Sequence, residues 1–334
     1  MSPFVRLSPA NVVGPGLRAE ARSGTLKRAP QAELIEARRI WDQAPHNAFT
    51  DLIRYKGRWY CGFREGKAHV SSDGALRILS SSDGRVWESA ALLSSSSDLR
   101  DPKLAIMPDE RLMLTTYSVV RESPEIPARS LAWFSLDGRE WGEPVPIGDP
   151  NMWLWRVSWH RGLAYSIGYD GKIIRLYASR DGHKFDTLVS NLFDQDYPNE
   201  TSILFLDDDT GLCLLRRDGK DGKGATALLG TARPPYRAWK WKDLGVRIGG
   251  PHMIRLPDGR IVAAGRLHGT VRTSLCWLDI EAGKLTEFLT LPSGGDTSYP
   301  GLVLYQGLLW VSYYSSHEGK TSIYLAKVKL PPEK

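Results

Sequence analysis

The sequence is short of helix, of cysteine and of long apolar runs, and each shortage excludes something. Only three cysteines occur in 334 residues, Cys61, Cys213 and Cys276, each inside an apolar strand-like run. An odd number at unrelated spacing makes neither a disulfide framework nor a metal motif, so small buried core residues are expected. No run approaches the ~20 apolar residues that a membrane-spanning helix needs. The opening Met1-Ser-Pro-Phe-Val-Arg6 lacks the basic-then-apolar pattern of a secretory signal. A soluble chain without a membrane span is therefore expected, cytoplasmic as it stands, or secreted or periplasmic if a signal has been removed. Basic residues exceed acidic ones, 44 against 38, for a net charge of +6. They are scattered singly, with no stripe or cluster, which argues against a nucleic-acid partner. A small anionic ligand fits the balance better. Twelve Trp and thirteen Tyr suit both a core and a sugar-binding surface.

What is present is a repeat. Residues 1–32 carry Pro, Gly, Arg and Ala without periodicity and read as a lead-in. From Glu33 onward, short β-type runs alternate with Gly, Asp and Pro. A loop–strand–turn–strand phrase starts near residues 50, 100, 155, 199, 249 and 298. The spacing of about 50 lies in the range of propeller blades. The fold class predicted is all-β: a six-bladed β-propeller of four-stranded antiparallel blades filling residues 33–334 as one domain. The last blade offers three strands before the chain ends, and Glu33–Trp41 is the candidate for its fourth.

A second pattern lies between the copies. Ser81-Ser-Asp83-Gly84-Arg-Val-Trp87 reads S-x-D-G-x-x-W, Ser135-Leu-Asp137-Gly138-Arg-Glu-Trp141 repeats it, and Ser179-Arg-Asp181-Gly182-His-Lys-Phe185 nearly does. The Asp can cap the turn amides, the Gly relieves φ and the aromatic packs beneath. This is the Asp-box, or BNR repeat, and in carrying it the chain resembles the sialidase (neuraminidase) superfamily of six-bladed propellers. In that family the box is a structural turn away from the active site.

Blade topology sends the loops that enter first strands, and leave second strands, to one face. Charged residues that repeatedly end otherwise apolar strands on that face need partners or a ligand. A channel-lining ion-pair ring and a functional pocket both satisfy that requirement. The mixture of Tyr, His and acids with the arginines favours a pocket.

The resemblance implies roles for several of these residues. Sialidases act on a sugar with a carboxylate on its anomeric carbon, so a neutral Tyr serves as nucleophile and a Glu takes its proton. Tyr299 and Glu200 stand at the matching blade positions, and Asp73 matches the general acid. Arg217 and Arg266 match two substrate-binding arginines. Arg64, Arg100, His69, His252, Tyr169 and His317 are further candidates to touch substrate. The implied partner is an acidic glycan, with no cofactor. No two of His69, His252 and His317 have ligand spacing, so no metal site is expected. Without the resemblance, Tyr299 reads equally as an inter-blade packing residue, Glu200 as a ligand for a loop amide, and Asp73 as a turn residue.

One position departs from the family. Its first blade begins Arg-Ile-Pro, and Ala48 stands here where that substrate-binding Arg would be. Arg64 or Arg100 is the candidate replacement. The expected activity is a sialidase-like retaining exo-glycoside hydrolase releasing a terminal acidic sugar. A lyase or hydrolase of uronate polysaccharide is one alternative, and a non-catalytic glycan-binding propeller is the other.

Overall fold

The computed structural model describes residues 31–220 and 222–333, so the expected lead-in, apart from its last two residues, lies outside the described residues. Twenty-four strands form six four-stranded antiparallel sheets, and the described residues contain no helix long and apolar enough to cross a membrane. The six innermost strands are His46–Tyr55, Asp98–Ile106, Trp153–His160, Pro198–Phe205, Ile248–Arg255 and Thr297–Tyr305. They are buried on both faces along much of their length, as in His46–Tyr55, whereas an outer strand such as Glu88–Leu93 is partly exposed throughout. The gradient is one of burial and not of apolar content, since His46–Tyr55 buries Asn47, Thr50 and Asp51 among its apolar residues.

Glu33–Trp41 pairs antiparallel with Ser322–Lys329, from Glu33 opposite Lys329 to Trp41 opposite Ile323. The sixth blade thus takes its outer strand from the start of the described chain, which fastens the two ends together. Aromatic packing supports that seam: Trp59 of blade one stacks on Trp310 of blade six with ring centroids 4.3 Å apart.

The three S-x-D-G turns explain how neighbouring blades lock. In each, the Asp carboxylate accepts two amide N–H groups and the Ser hydroxyl accepts the Gly N–H; for Asp137 the amides are Arg139 at 2.8 Å and Glu140 at 2.9 Å. Each Gly also lies flat on the blade before it. A Cβ on Gly84 would come within 2.3 Å of the Trp310 ring, and one on Gly138 within 2.4 Å of Tyr60. Tyr60 donates its hydroxyl to the Asp137 carbonyl at 2.6 Å, so the turn staples blade two to blade one.

Every innermost strand carries the same irregularity. Two of its residues oppose one on the second strand, at residues 49–50, 101–102, 155–156, 199–200, 250–251 and 299–300. Such bulges bend a strand and re-aim side chains. Six of them at one level make a ring, and four of their first residues, Phe49, Asp101, Gly250 and Tyr299, have φ between 52° and 66°.

Candidate active site

The bulge ring brings Tyr299 and Glu200 together. The Tyr299 hydroxyl donates to Glu200 Oε1, and both residues are buried. Arg216 lies opposite the Asn199–Glu200 bulge and donates to Glu200 Oε1 at 2.6 Å, with Tyr299 Oη 3.5 Å from the same nitrogen. Asp218 grips the other side of the guanidinium at 2.9 and 3.0 Å. The second Glu200 oxygen accepts the Gly250 amide at 2.7 Å.

The protonation states follow from these contacts. Burial raises the Tyr299 phenol well above its usual range, the Glu200 charge adds to this, and Arg216 only partly opposes it. For Glu200, burial by itself would raise the carboxyl. The Arg216 charge and the hydrogen bonds from Arg216 and Tyr299 outweigh burial and hold it below its usual value. A neutral phenol therefore faces an ionised carboxylate, the starting state for proton transfer from the first to the second.

Asp101 occupies the blade-two place in the ring. It is buried, its Oδ1 has no hydrogen-bond partner, and Arg100 Nε lies 3.8 Å from Oδ2. Burial pushes its carboxyl up to about 6, against the pull of Arg100 and Lys103 and with the help of the Glu200 charge. Aromatic rings make up much of the remaining wall. Phe49 meets Tyr299 edge-on at 5.1 Å, Trp155 lies 5.6 Å from Tyr299, and Tyr169 stacks on Trp153 at 5.5 Å. This arrangement combines a paired hydroxyl and carboxylate, a second acid that holds a proton near pH 6, and aromatic faces suited to a sugar ring.

No protein-family model and no curated protein matches the chain. Among solved structures, it is similar to a protein of unknown function from Dyadobacter fermentans, with a TM-score of 0.78 and 20% identity over 90% of this chain and 100% of that one. It also resembles Trypanosoma rangeli sialidase in complex with the inhibitor DANA, with a TM-score of 0.67 and 12% identity over 90% of this chain, which spans only 60% of the sialidase. The Penicillium chrysogenum α-L-arabinanase bound to arabinobiose gives 0.67 and 13% identity over 89% of this chain and 98% of the arabinanase. The fold is a six-bladed propeller similar to those of these solved structures.

The structure gathers some of the sequence-predicted residues and disperses others. Arg266 stays near the mouth: its guanidinium donates to the Thr297 carbonyl at 3.2 Å, and its charge reaches both Glu200 and Tyr299. Arg100 also borders the ring, with its guanidinium 5.1 Å from the centre of Phe49. Tyr169 belongs to the aromatic wall.

Arg217 does not face a ligand. It is held by Asp196 and Asp243, each at 2.9 Å, and by the Thr226 carbonyl. The role of substrate-binding arginine is therefore not open to it: Asp196 comes from the loop before its blade and Asp243 from the end of the outer strand Lys240–Asp243, neither adjacent to it in sequence. Arg64 is also committed elsewhere: fully buried, it pairs with Asp98 at 2.8 Å and props the carbonyls of Ala68 and Ser71. His252 lies below the ring beside a cavity of about 190 Å³, where Asp51 and Arg156 pair at 3.0 Å. Burial, reinforced by the Arg156 charge, lowers its imidazole to about 3. His317 is exposed and turns to Ser315 and the Tyr324 ring. Asp73 is exposed on the 67–74 loop, and its Oδ1 accepts the Lys67 amide at 3.2 Å. At blade one, the residue that enters the ring is Phe49, not its neighbour Ala48.

Sequence reading puts Asp101, Trp155 and Arg216 on this face but gives no sign that Arg216 pairs with Glu200 or that Asp101 is a second acid, and it misses Phe49 as a wall residue. The bulge decides all of these, and it has no sequence signature of its own apart from a Pro at its second position in three blades.

Proposed function

We propose that the protein is a retaining glycoside hydrolase acting on a terminal acidic sugar, with Tyr299 as nucleophile and Glu200 as its base. The observation that carries this reading is the buried hydrogen bond from the Tyr299 hydroxyl to Glu200. Tyr299 Oη attacks the anomeric carbon as its proton passes to Glu200, and the bond to the leaving oxygen breaks. That oxygen takes a proton from Asp101. Water then enters, giving its proton back to Asp101, and breaks the tyrosyl–sugar bond as Glu200 returns the proton to Oη.

Asp101 suits the acid role better than Asp73. For Asp73 the small burial penalty is outweighed by hydrogen bonds from Ser71 and the Lys67 amide, which hold its carboxyl below the usual value. A neutral Tyr in place of a carboxylate nucleophile is of most use when the substrate is itself anionic. Arg266 is the guanidinium left to bind that charge, since Arg216 is already shared between Glu200 and Asp218, and Arg100 between Asp98 and the His69 carbonyl. Phe49, apolar in the blade-one place, argues against sialic acid in particular and favours a differently shaped acid such as a uronate.

A non-catalytic glycan-binding propeller is the second reading, favoured by the same Phe49. A release assay on sialosides, glucuronides and arabinosides, run beside Tyr299→Phe, separates the two. The hydrolase reading expects turnover on an acidic glycoside and a loss on the order of 1,000-fold in the variant. Equal rates in both proteins overturn the role of Tyr299. Glycan binding without release supports the second reading.

A further inference from the structure

At the seam between blades six and one, three side chains from distant parts of the chain converge. His46 begins the innermost strand of blade one, His69 sits on the 67–74 loop, and Asp296 precedes the innermost strand of blade six. His46 Nε2 lies 3.0 Å and His69 Nδ1 2.8 Å from the same oxygen, Asp296 Oδ2. The three ligand atoms lie within 4.8 Å of one another, the one such convergence of His, Cys, Asp and Glu among the described residues. From this geometry we propose that His46, His69 and Asp296 bind a divalent first-row metal ion through those three atoms.

Two neutral imidazoles and one carboxylate form the donor set of open zinc and iron(II) sites, which keep room for water or a substrate oxygen. Around such an ion, donor atoms about 2.1 Å from the metal stand roughly 3.3 Å apart. The two separations from Asp296 Oδ2 need to widen by only a few tenths of an ångström, and the two imidazole nitrogens already lie within 4.8 Å of each other.

The outer contacts hold the ligands in place. Tyr314 donates its hydroxyl to Asp296 Oδ1 at 2.8 Å, which leaves Oδ2 for the imidazoles, and the Asp296 amide is held by Ser316 Oγ at 2.8 Å. His69 is exposed, yet its loop is anchored from below by two buried arginines. Arg64 binds the Ala68 and Ser71 carbonyls, and Arg100 binds the carbonyl of His69 itself at 3.0 Å. Arg64 and Arg100, expected to touch substrate, thus orient the loop that presents a metal ligand. Such outer-shell support usually accompanies metal ligation. The His69 side chain is 48% exposed and that of Asp296 29%, so the open coordination positions face the mouth. Phe49, which touches Tyr299, also meets the His69 ring at 4.9 Å. The ion would therefore stand at the rim of the same pocket and place a positive charge on the blade-one side, where the ring itself has only Phe49.

The test is metal binding by the tag-free, chelator-treated full chain, read without any turnover. Titration calorimetry with zinc chloride should show one equivalent bound, and cobalt(II) should give visible absorption bands of a nitrogen- and oxygen-ligated ion. His69→Ala and Asp296→Asn should each weaken zinc by more than about 100-fold, and Tyr314→Phe by roughly 10- to 100-fold. His69 is exposed, so its variant folds independently of the site, and a thermal melt confirms this. No stoichiometric binding by the wild type, or wild-type affinity in His69→Ala and in Asp296→Asn, overturns the site. Either result leaves the role of Tyr299 untouched.

Discussion

Arg216 and Arg217 are adjacent in the chain, yet they serve different parts of the molecule. Arg216 faces the bulge and binds Glu200 at 2.6 Å, while Arg217 turns to Asp196 and Asp243 at 2.9 Å each. Successive strand residues point to opposite faces, so a single register step decides which arginine reaches the site. Arg216→Ala should lower kcat/KM by on the order of 100-fold and also lower the melting temperature, because it leaves the buried Glu200 carboxylate without its charge partner. Arg217→Ala should leave kcat/KM near wild type and cost about 1–2 kcal/mol, discounted because its acidic partners are partly exposed. Denaturation curves and rates measured on both variants check the pair.

Asp101 predicts a pH signature. Its carboxyl titrates at about 6, so an acid step that depends on it should lose rate as pH rises through 6, and Asp101→Asn should abolish that limb. Stability should move in the same direction. The folded value lies above the unfolded one near 3.8, so the protonated form favours folding below about pH 4 and that contribution is lost as pH passes 6. Asp101→Asn should therefore gain stability relative to wild type at pH 7.5, on the order of 2 kcal/mol, and little at pH 4. Asn tolerates the φ of 52° at this position. Melting curves at the two pH values test the sign.

Gly138 is placed to separate a turn from a cap. Its φ is 73° and a Cβ would fall 2.4 Å from Tyr60, so Gly138→Ala should cost about 2–4 kcal/mol from strain and overpacking. Asp137→Ala loses two amide contacts and should cost about 1–2 kcal/mol. Neither should change KM, because the turn lies on the face away from Tyr299. A shift in KM would mean that the two faces are coupled.

Below the ring, Asp51 accepts both contacts from Arg156 Nη1 at 3.0 Å and the Leu104 amide at 2.8 Å. Burial by itself would raise its carboxyl, but Arg156, His252 and Lys103 together lower it. Its contribution should be complete above about pH 4 and be lost as pH falls through its depressed folded value. Asp51→Ala leaves Arg156 buried and uncompensated and should cost about 3–5 kcal/mol at pH 7. Chemical denaturation of this variant at pH 7 is the measurement.

Sequence alone carried the fold because its signals are local. The S-x-D-G turns and the strand–turn–strand phrases each depend on residues within one hairpin. The hydrophobic effect then fixes which strands lie inward. Even the ring closure was visible, since an unpaired sixth blade has to find a strand and Glu33–Trp41 was left over. Tyr299 and Glu200 were found as blade positions, 99 residues apart, because the repeat predicts where each strand begins.

The tertiary structure decided how those positions face one another. A bulge adds one residue to a strand and shifts the side-chain alternation beyond it, which put Phe49 in the ring in place of Ala48; across from the Asn199–Glu200 bulge, Arg216 faces in and Arg217 turns out. A Pro marks the second bulge position in only three of the six blades, too weak a pattern for the sequence to show the bulge. His46, His69 and Asp296 meet only because the ring closes between blades six and one. Their spacing along the chain, up to 250 residues, contains no trace of that contact. Local hydrogen bonding and burial determined the blades, and the closure of the ring determined the chemistry at its mouth.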